Sequence, residues 1–254
     1  MPNELLWILF LLVELSAAVA LLKAFGRMGL YALVVMNVIL CNIQVQKGVE
    51  MIGLTFTLGN ILYGSIFFAT DLLGELYGKR EARRAVWLGF AVLLLTMVAM
   101  MFAAEFKAAD YSESLRASDA IEALFGRFRS LAEFDLSQVT FARVALASLV
   151  AYLVSQLHDV WAFHFWKKKT SGRHLWLRNN ASTWVSQLID SVIFCTLAFT
   201  RAVPTGVFFM LLGTTYGIKL IVAALDTPFI YLGRRLAGKW DVGKNRLPST
   251  NHLL

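Results

Sequence analysis

The chain has 254 residues, of which 58% are hydrophobic and 16% charged, with a net charge of +7. Soluble domains hold roughly 45–50% apolar and about 25% charged residues, and a water-soluble core cannot absorb the excess seen here. The basic residues come in short clusters between apolar blocks, a placement that reads as membrane topology and not as nucleic-acid binding. Cys41 and Cys195 lie in apolar runs away from any CxxC pairing, which excludes a disulfide framework and a zinc site.

A helix needs about 20 mostly apolar residues to cross a hydrocarbon layer roughly 30 Å thick. Seven blocks approach that length, at Leu5 to Leu22, Leu30 to Gln46, Ile52 to Leu73, Ala85 to Ala104, Val139 to Phe165, Thr183 to Thr200 and Val203 to Leu232. The first differs from a secretory signal because Glu4 precedes it, Glu14 interrupts it, and no basic n-region leads into it. Asn37, Asn42 and Gln44 interrupt the second. The predicted fold is an all-α polytopic membrane bundle: an N-terminal transmembrane helix (1–24), a six-helix core (25–235) with a long extracytoplasmic connection (105–138), and a basic cytoplasmic tail (236–254).

Cytoplasmic connections retain Lys and Arg. Alternate connections carry sixteen such residues on one side and six on the other, with Arg143 and Lys219 inside spans. This predicts seven crossings of the membrane, with the N-terminus outside and the C-terminus in the cytoplasm. Within the long connection, SDAIEALFGRF has the apolar spacing of a short surface helix, with Ser118 as N-cap and Asp119 and Glu122 in its first turn.

An ionisable group at the bilayer centre costs about 2.5–3.5 kcal/mol on insertion scales, so one that persists faces a protein interior or an aqueous cavity. Asp71 and Glu75 lie four apart on one helical face; Lys219 and Asp226 lie two turns apart in the last span. These four are candidate gating or cation-binding residues. In the fifth span Ser155-Gln156-Leu157-His158-Asp159 is echoed in the sixth by Ser186-Gln187-Leu188-Ile189-Asp190. Each repeat sets an amide and a carboxylate three residues apart on a shared face. Such a pair suits a planar hydrogen-bonding ligand, and it equally suits interhelical hydrogen bonding. Trp161 and Trp184, nearest these pairs, are candidates to stack on a ring. His158 and His164 are six apart and miss the i, i+4 spacing of helical metal pairs, so neither a metal site nor another cofactor is expected. No GxSxG, Walker loop or HExxH occurs, and the sequence does not read as an enzyme.

Four separated stretches share the order of a known family: TDLLGELYGKREARRAVWLGF (Thr70 to Phe90), SQLHDVWAFHFWKKKT (Ser155 to Thr170), GRHLWLRNNASTWVSQLIDSVIF (Gly172 to Phe194) and LDTPFIYL (Leu225 to Leu232). Together they resemble the queuosine precursor transporters over about Met36 to Leu232, and Asn42 in CNIQVQK resembles the Asn near the start of that family's core. The family is similar in architecture to the six-helix substrate-binding subunits of bacterial vitamin importers. The resemblance implies a small-molecule substrate among the 7-deazaguanines that feed queuosine modification of tRNA: 7-cyano-7-deazaguanine, 7-aminomethyl-7-deazaguanine, or in some members free queuine. Candidate substrate contacts are then Asp190 with Gln187, Asp159 with Gln156, and Asn42. The extra N-terminal segment departs from the six-helix pattern. Because the chain has no nucleotide-binding motif, import is uncoupled, ion-coupled, or driven by a separate ATPase partner.

Two readings from other classes remain beside transport. One is a non-transporting membrane scaffold in which the buried acids and amides hold helices together. The other is an intramembrane hydrolase using Asp159 or Asp190.

Overall fold

A computed structural model describes residues 2–45, 47–51, 53–106 and 141–239. The short helix expected at SDAIEALFGRF, and the tail beyond Lys239, lie outside the described residues. Seven helices run through the described part: α1 (Asn3–Phe25), α2 (Arg27–Gln44), α3 (Asn60–Leu76), α4 (Lys79–Glu105), α5 (Phe141–Lys169), α6 (Leu175–Phe199) and α7 (Thr205–Lys239). Between α2 and α3 lies an antiparallel hairpin of β1 (Gly48–Met51) and β2 (Leu54–Thr57), in register from Gly48 opposite Thr57 to Met51 opposite Leu54. Six of the helices are long and apolar enough to cross a membrane; the seventh, α3, has 17 residues.

The helices are inverted relative to those of a soluble bundle. Leu5, Leu6, Leu9, Leu12 and Val13 of α1 are exposed, as are Leu94, Leu95 and Phe102 of α4, whereas Ser182, Thr183, Ser186, Gln187, Asp190 and Ser191 of α6 are buried. Apolar groups outside and polar groups inside is the pattern that a lipid solvent selects. The buried positions of α6 recur at three- and four-residue steps from Leu175 to Ala198, which makes its inward face an almost unbroken polar stripe.

Helix α3 is the interior element, touching α1, α2, α4, α5 and α7, with every residue from Asn60 to Gly74 buried except Tyr63. Leu54–Thr57 of the apolar block read as Ile52 to Leu73 form the second hairpin strand, and the helix starts only at Asn60. The turn at Gly53 has φ +68, a left-handed backbone that breaks the run, and hydropathy alone does not separate a β-ribbon from a helix here. The sixth block also moves. Its helix begins at Leu175, eight residues before the expected Thr183, because Arg178 and Asn179 are buried interior groups and not loop residues.

Helix α1 packs against α2, α3 and α7 through Trp7, Leu11, Leu15, Ala18 and Leu22. Its buried Glu14 accepts a 2.6 Å hydrogen bond from Asn37 of α2, so the two polar interruptions noted in the first two blocks meet across the helix interface. Gly64 of α3 lies against α7 so closely that a Cβ there would stand 2.4 Å from Val222 Cγ1. Small residues permit such approach between membrane helices. Gly64→Ala is therefore expected to destabilise the protein by about 1–3 kcal/mol. Thermal unfolding in detergent would show it as a lowered midpoint that Val222→Ala restores; an unchanged midpoint in Gly64→Ala would contradict the packing.

Candidate functional site

Helical geometry stacks the polar side chains in layers. On α3, Asn60, Tyr63, Thr70, Asp71 and Glu75 follow steps that keep one face inward; on α7, Thr215, Lys219 and Asp226 do the same. From Tyr63 to Glu75 the ladder covers roughly 18 Å at about 1.5 Å per residue. It runs from the hairpin end of the bundle to the end where the basic clusters lie.

The layer nearest the hairpin centres on Asp190. One of its oxygens pairs with the Lys219 ammonium, and the other accepts from the Tyr63 hydroxyl and, at 3.2 Å, from Ser155. Lys219 also sits 4.7 Å above the centroid of the Tyr63 ring, a cation–π contact that holds the ammonium over the aromatic face. Three helices thus supply one carboxylate, one cation and one phenol, all facing a cleft. Asn42, Asn60, Ser148 and Thr215 also line it, among the apolar Cys41, Val45, Leu93, Ala151, Tyr152 and Phe194. The cleft is partly open, with a cavity volume of about 50 Å³, smaller than the roughly 300–1,000 Å³ typical of small-molecule sites, so a bicyclic solute requires it to widen. Its wall is mostly apolar, with a few convergent polar groups that can fix orientation.

Next in the ladder come Gln156 and Gln187. Gln156 Oε1 takes the Thr70 hydroxyl at 3.2 Å, while its amide nitrogen and both amide atoms of Gln187 are buried without a hydrogen-bond partner. Beyond them Asp71 accepts from Thr183 at 3.2 Å and Asp226 from Asn179 at 2.9 Å, with Asp159 between. The last layer is cationic. Glu75 meets Arg178 at 2.6 Å, Lys167 at 2.8 Å and Arg234 at 3.4 Å, tying α3 to α5, α6 and α7. Arg178 is fully buried, donates to the carbonyls of Gly172 and Arg173, and lies 5.5 Å from the Phe163 ring.

Of the residues singled out from the sequence, Asn42, Asp190 and Lys219 therefore line one cleft, and Gln156, Gln187 and Asp159 sit in the layers beyond it. The tryptophans do not join them. Trp161 is 53% exposed and stacks on Phe165 at 5.6 Å, and Trp184 is 43% exposed. The reason is helical phase: Trp161 follows Asp159 by two residues, about 200° around the helix at 3.6 residues per turn, so it faces outward when Asp159 faces in. Reading proximity along the chain as proximity in space misplaced both rings. Tyr63, Asn60, Tyr152, Ser155 and Arg178 carry interior contacts that the sequence reading passed over. For Tyr63 the signal was present, one step of three from Asn60 and two turns before Thr70 on the same face. Among the described residues, no group of three or more His, Cys, Asp and Glu has the arrangement of a metal site.

A multi-pass helical bundle with a charged, partly enclosed cleft between its helices has the architecture of a membrane transporter. Residues 57–233 match the family described as "Putative vitamin uptake transporter", and the chain belongs to that family. It is 39% identical over 93% of its length to the "Probable queuosine precursor transporter" of Bacillus subtilis (strain 168), covering 96% of that protein. It is also 31% identical to the "Queuosine precursor transporter" of Escherichia coli (strain K12), over 71% of each chain. A protein of Haemophilus influenzae described as "Probable queuosine precursor transporter" is 28% identical over 58% of this chain and 53% of its own. No solved structure matches the chain at a significant level. These relatives are transporters and not enzymes, and with six helices fit to span a bilayer the chain is a multi-pass bacterial membrane protein.

Removing one partner of a buried ion pair leaves the other charge uncompensated, at a cost of about 3–5 kcal/mol. Lys219→Met is accordingly expected to lower stability in detergent, and adding Asp190→Asn to recover most of the loss. A double variant no more stable than Lys219→Met alone would show that the pair is not what holds this layer.

Proposed function

We propose that the chain imports queuosine precursors of the 7-deazaguanine type and that the Asp190–Lys219 cleft recognises them. The observation that carries this reading is the pairing of an anion and a cation side by side on a mostly apolar wall. A guanine-like edge presents a ring N–H and an amino group beside a carbonyl, donors next to an acceptor. Asp190 accepts the donors, and the Lys219 ammonium or the Asn42 amide meets the carbonyl. Tyr152 and Phe194 supply the apolar face along which the bicyclic ring lies. 7-Cyano-7-deazaguanine and 7-aminomethyl-7-deazaguanine share that edge, and queuine carries it too.

With the basic clusters on the cytoplasmic side, as in other inner-membrane proteins, the hairpin end and the cleft face outward, and the Glu75 layer closes the inner end. Glu75, Asp71 and Asp226 then act as the inner gate, and Lys219 as the cation that substrate must engage. Helices α2 to α7 form the transport core (25–235), and α1 is an appended membrane helix. The chain carries no nucleotide-binding loop, so accumulation draws on an ion gradient or on a separate ATPase partner.

The test is uptake of labelled 7-cyano-7-deazaguanine into cells unable to synthesise it, read also as queuosine in their tRNA. Hydrogen bonds to a charged group are worth about 1.5–3 kcal/mol. Asp190→Asn is therefore expected to cut uptake roughly tenfold or more at a normal protein level. Trp161→Leu, an outward-facing residue, should leave uptake unchanged. No uptake by the wild type, or full uptake by Asp190→Asn, would sink the assignment.

A further inference from the structure

Asp71 of α3, Asp159 of α5 and Asp226 of α7 meet in one layer, 2%, 0% and 1% exposed. Among the described residues, no Lys or Arg lies within ion-pair distance of any of the three. Asp71 and Asp226 each receive one hydrogen bond, from Thr183 and Asn179. Both oxygens of Asp159 are buried without a partner. The hydroxyls of Ser182, Thr183 and Ser186 surround it as possible donors, each with a competing acceptor in hydrogen-bond distance: the Asn179 carbonyl for Ser182, the Ser182 carbonyl for Ser186, and Asp71 for Thr183. Asp159 thus faces three hydroxyls whose protons are contested and two further carboxyl groups.

An ionised Asp159 would have no cation to meet it and would have to compete with other acceptors for the hydroxyl protons around it, an arrangement that a dry interior tolerates poorly. A protonated Asp159 reverses the account. Its O–H donates to Asp71 or to one of the surrounding hydroxyl oxygens, and one negative charge leaves the layer. The neighbouring charges do not alter this. Glu75 is committed to Arg178, Lys167 and Arg234, and Asp190 to Lys219. On α5, His158 Nδ1 lies 2.9 Å from Ser186 Oγ, and His164 Nδ1 lies 2.9 Å from the Val160 carbonyl oxygen. On α4, Lys79 lies toward His164. A second observation points the same way. The amide of Gln187, fully buried one turn from Thr183 on the same face, is unpartnered at both ends, so this interior holds polar groups that only an occupant or a rearrangement can satisfy.

We infer that Asp159, backed by Asp71 and Asp226, is a proton-binding site, and that loading and releasing this proton drives the passage of the solute held at the neighbouring cleft. The reaction is a simple protonation: a proton from the aqueous phase bonds to one Asp159 oxygen, and the same bond breaks on release to the other side. Seven residues of α6 separate Asp190 from Thr183, roughly 10 Å. The proton and the solute thus occupy different layers of one polar ladder. The coupling half of the inference rests on the transport reading above; the proton site does not.

Infrared spectroscopy of the purified protein in lipid separates the two. A protonated carboxylic acid has a carbonyl stretch that a carboxylate lacks, and this band should be present at neutral pH without substrate and be lost in Asp159→Asn. Its absence at neutral pH, or its persistence in Asp159→Asn, would overturn the site whatever the substrate is. Coupling is read in proteoliposomes as uptake of 7-cyano-7-deazaguanine under an acid-outside gradient with the membrane potential clamped. Wild type should accumulate substrate, Asp159→Asn should lose the response to the gradient, and Asp159→Glu should keep it. Indifference to the proton gradient, or dependence on a sodium gradient instead, would overturn the coupling. Should Asp159→Asn fail to fold, the neutral-pH band of the wild type and its gradient response still decide both halves.

Discussion

The structure depends on one constraint: a bundle whose outer surface is hydrocarbon-like has no water inside to satisfy its polar groups, so each must find its partner across a helix interface. The chain meets this by pairing helices through their polar faces. Glu14 answers Asn37, Asp190 answers Lys219 and Tyr63, and Glu75 answers three cations. These contacts join α1 to α2, α3 to α6 and α7, and α5 to α3, which also sets the positions of the cleft walls. Where the pairing is incomplete, at Gln156, Gln187 and Asp159, the fold keeps groups that a purely architectural interior would have replaced with apolar side chains. The proposed proton site lies among these incomplete positions, one layer removed from the paired Asp190 and Lys219 of the cleft.

Much of this was legible in residue type and spacing. Composition and block length led to a helical membrane bundle, and the misplaced charges of Asp71, Asp159, Asp190, Lys219 and Asp226 all proved to be interior. The hidden part follows from what a one-dimensional pattern lacks. The apolar run read as starting at Ile52 holds the second strand of a hairpin, Leu54–Thr57, which the left-handed backbone at Gly53 reveals. Arg178 reads as a loop residue because it is charged and close to a basic cluster, although it is fully buried against Glu75 and Phe163. The repeated Gln and Asp pairs of α5 and α6 invite the expectation of a single site. The repeats sit on helices running in opposite directions, so Asp159 is set toward the basic end and Asp190 toward the hairpin end.

That antiparallel placement gives the echo its functional sense. Two copies of one short motif, met head to tail, put a carboxylate at two depths of the same polar ladder. At one depth a lysine neutralises it and a cleft opens beside it. At the other it faces further acids and no cation. On the proposed reading, a solute site and a charge-carrying site are built from the same residue types and are given different tasks by their neighbours.

Equilibrium binding of labelled 7-cyano-7-deazaguanine to the purified protein in lipid nanodiscs tests the central claim most directly, with guanine and adenine as unlabelled competitors. If Asp190 and Lys219 read the donor and acceptor edge of the base, guanine displaces the label and adenine, whose edge reverses that pattern, does not. Equal displacement by both purines, or no binding of the label at all, would contradict the account.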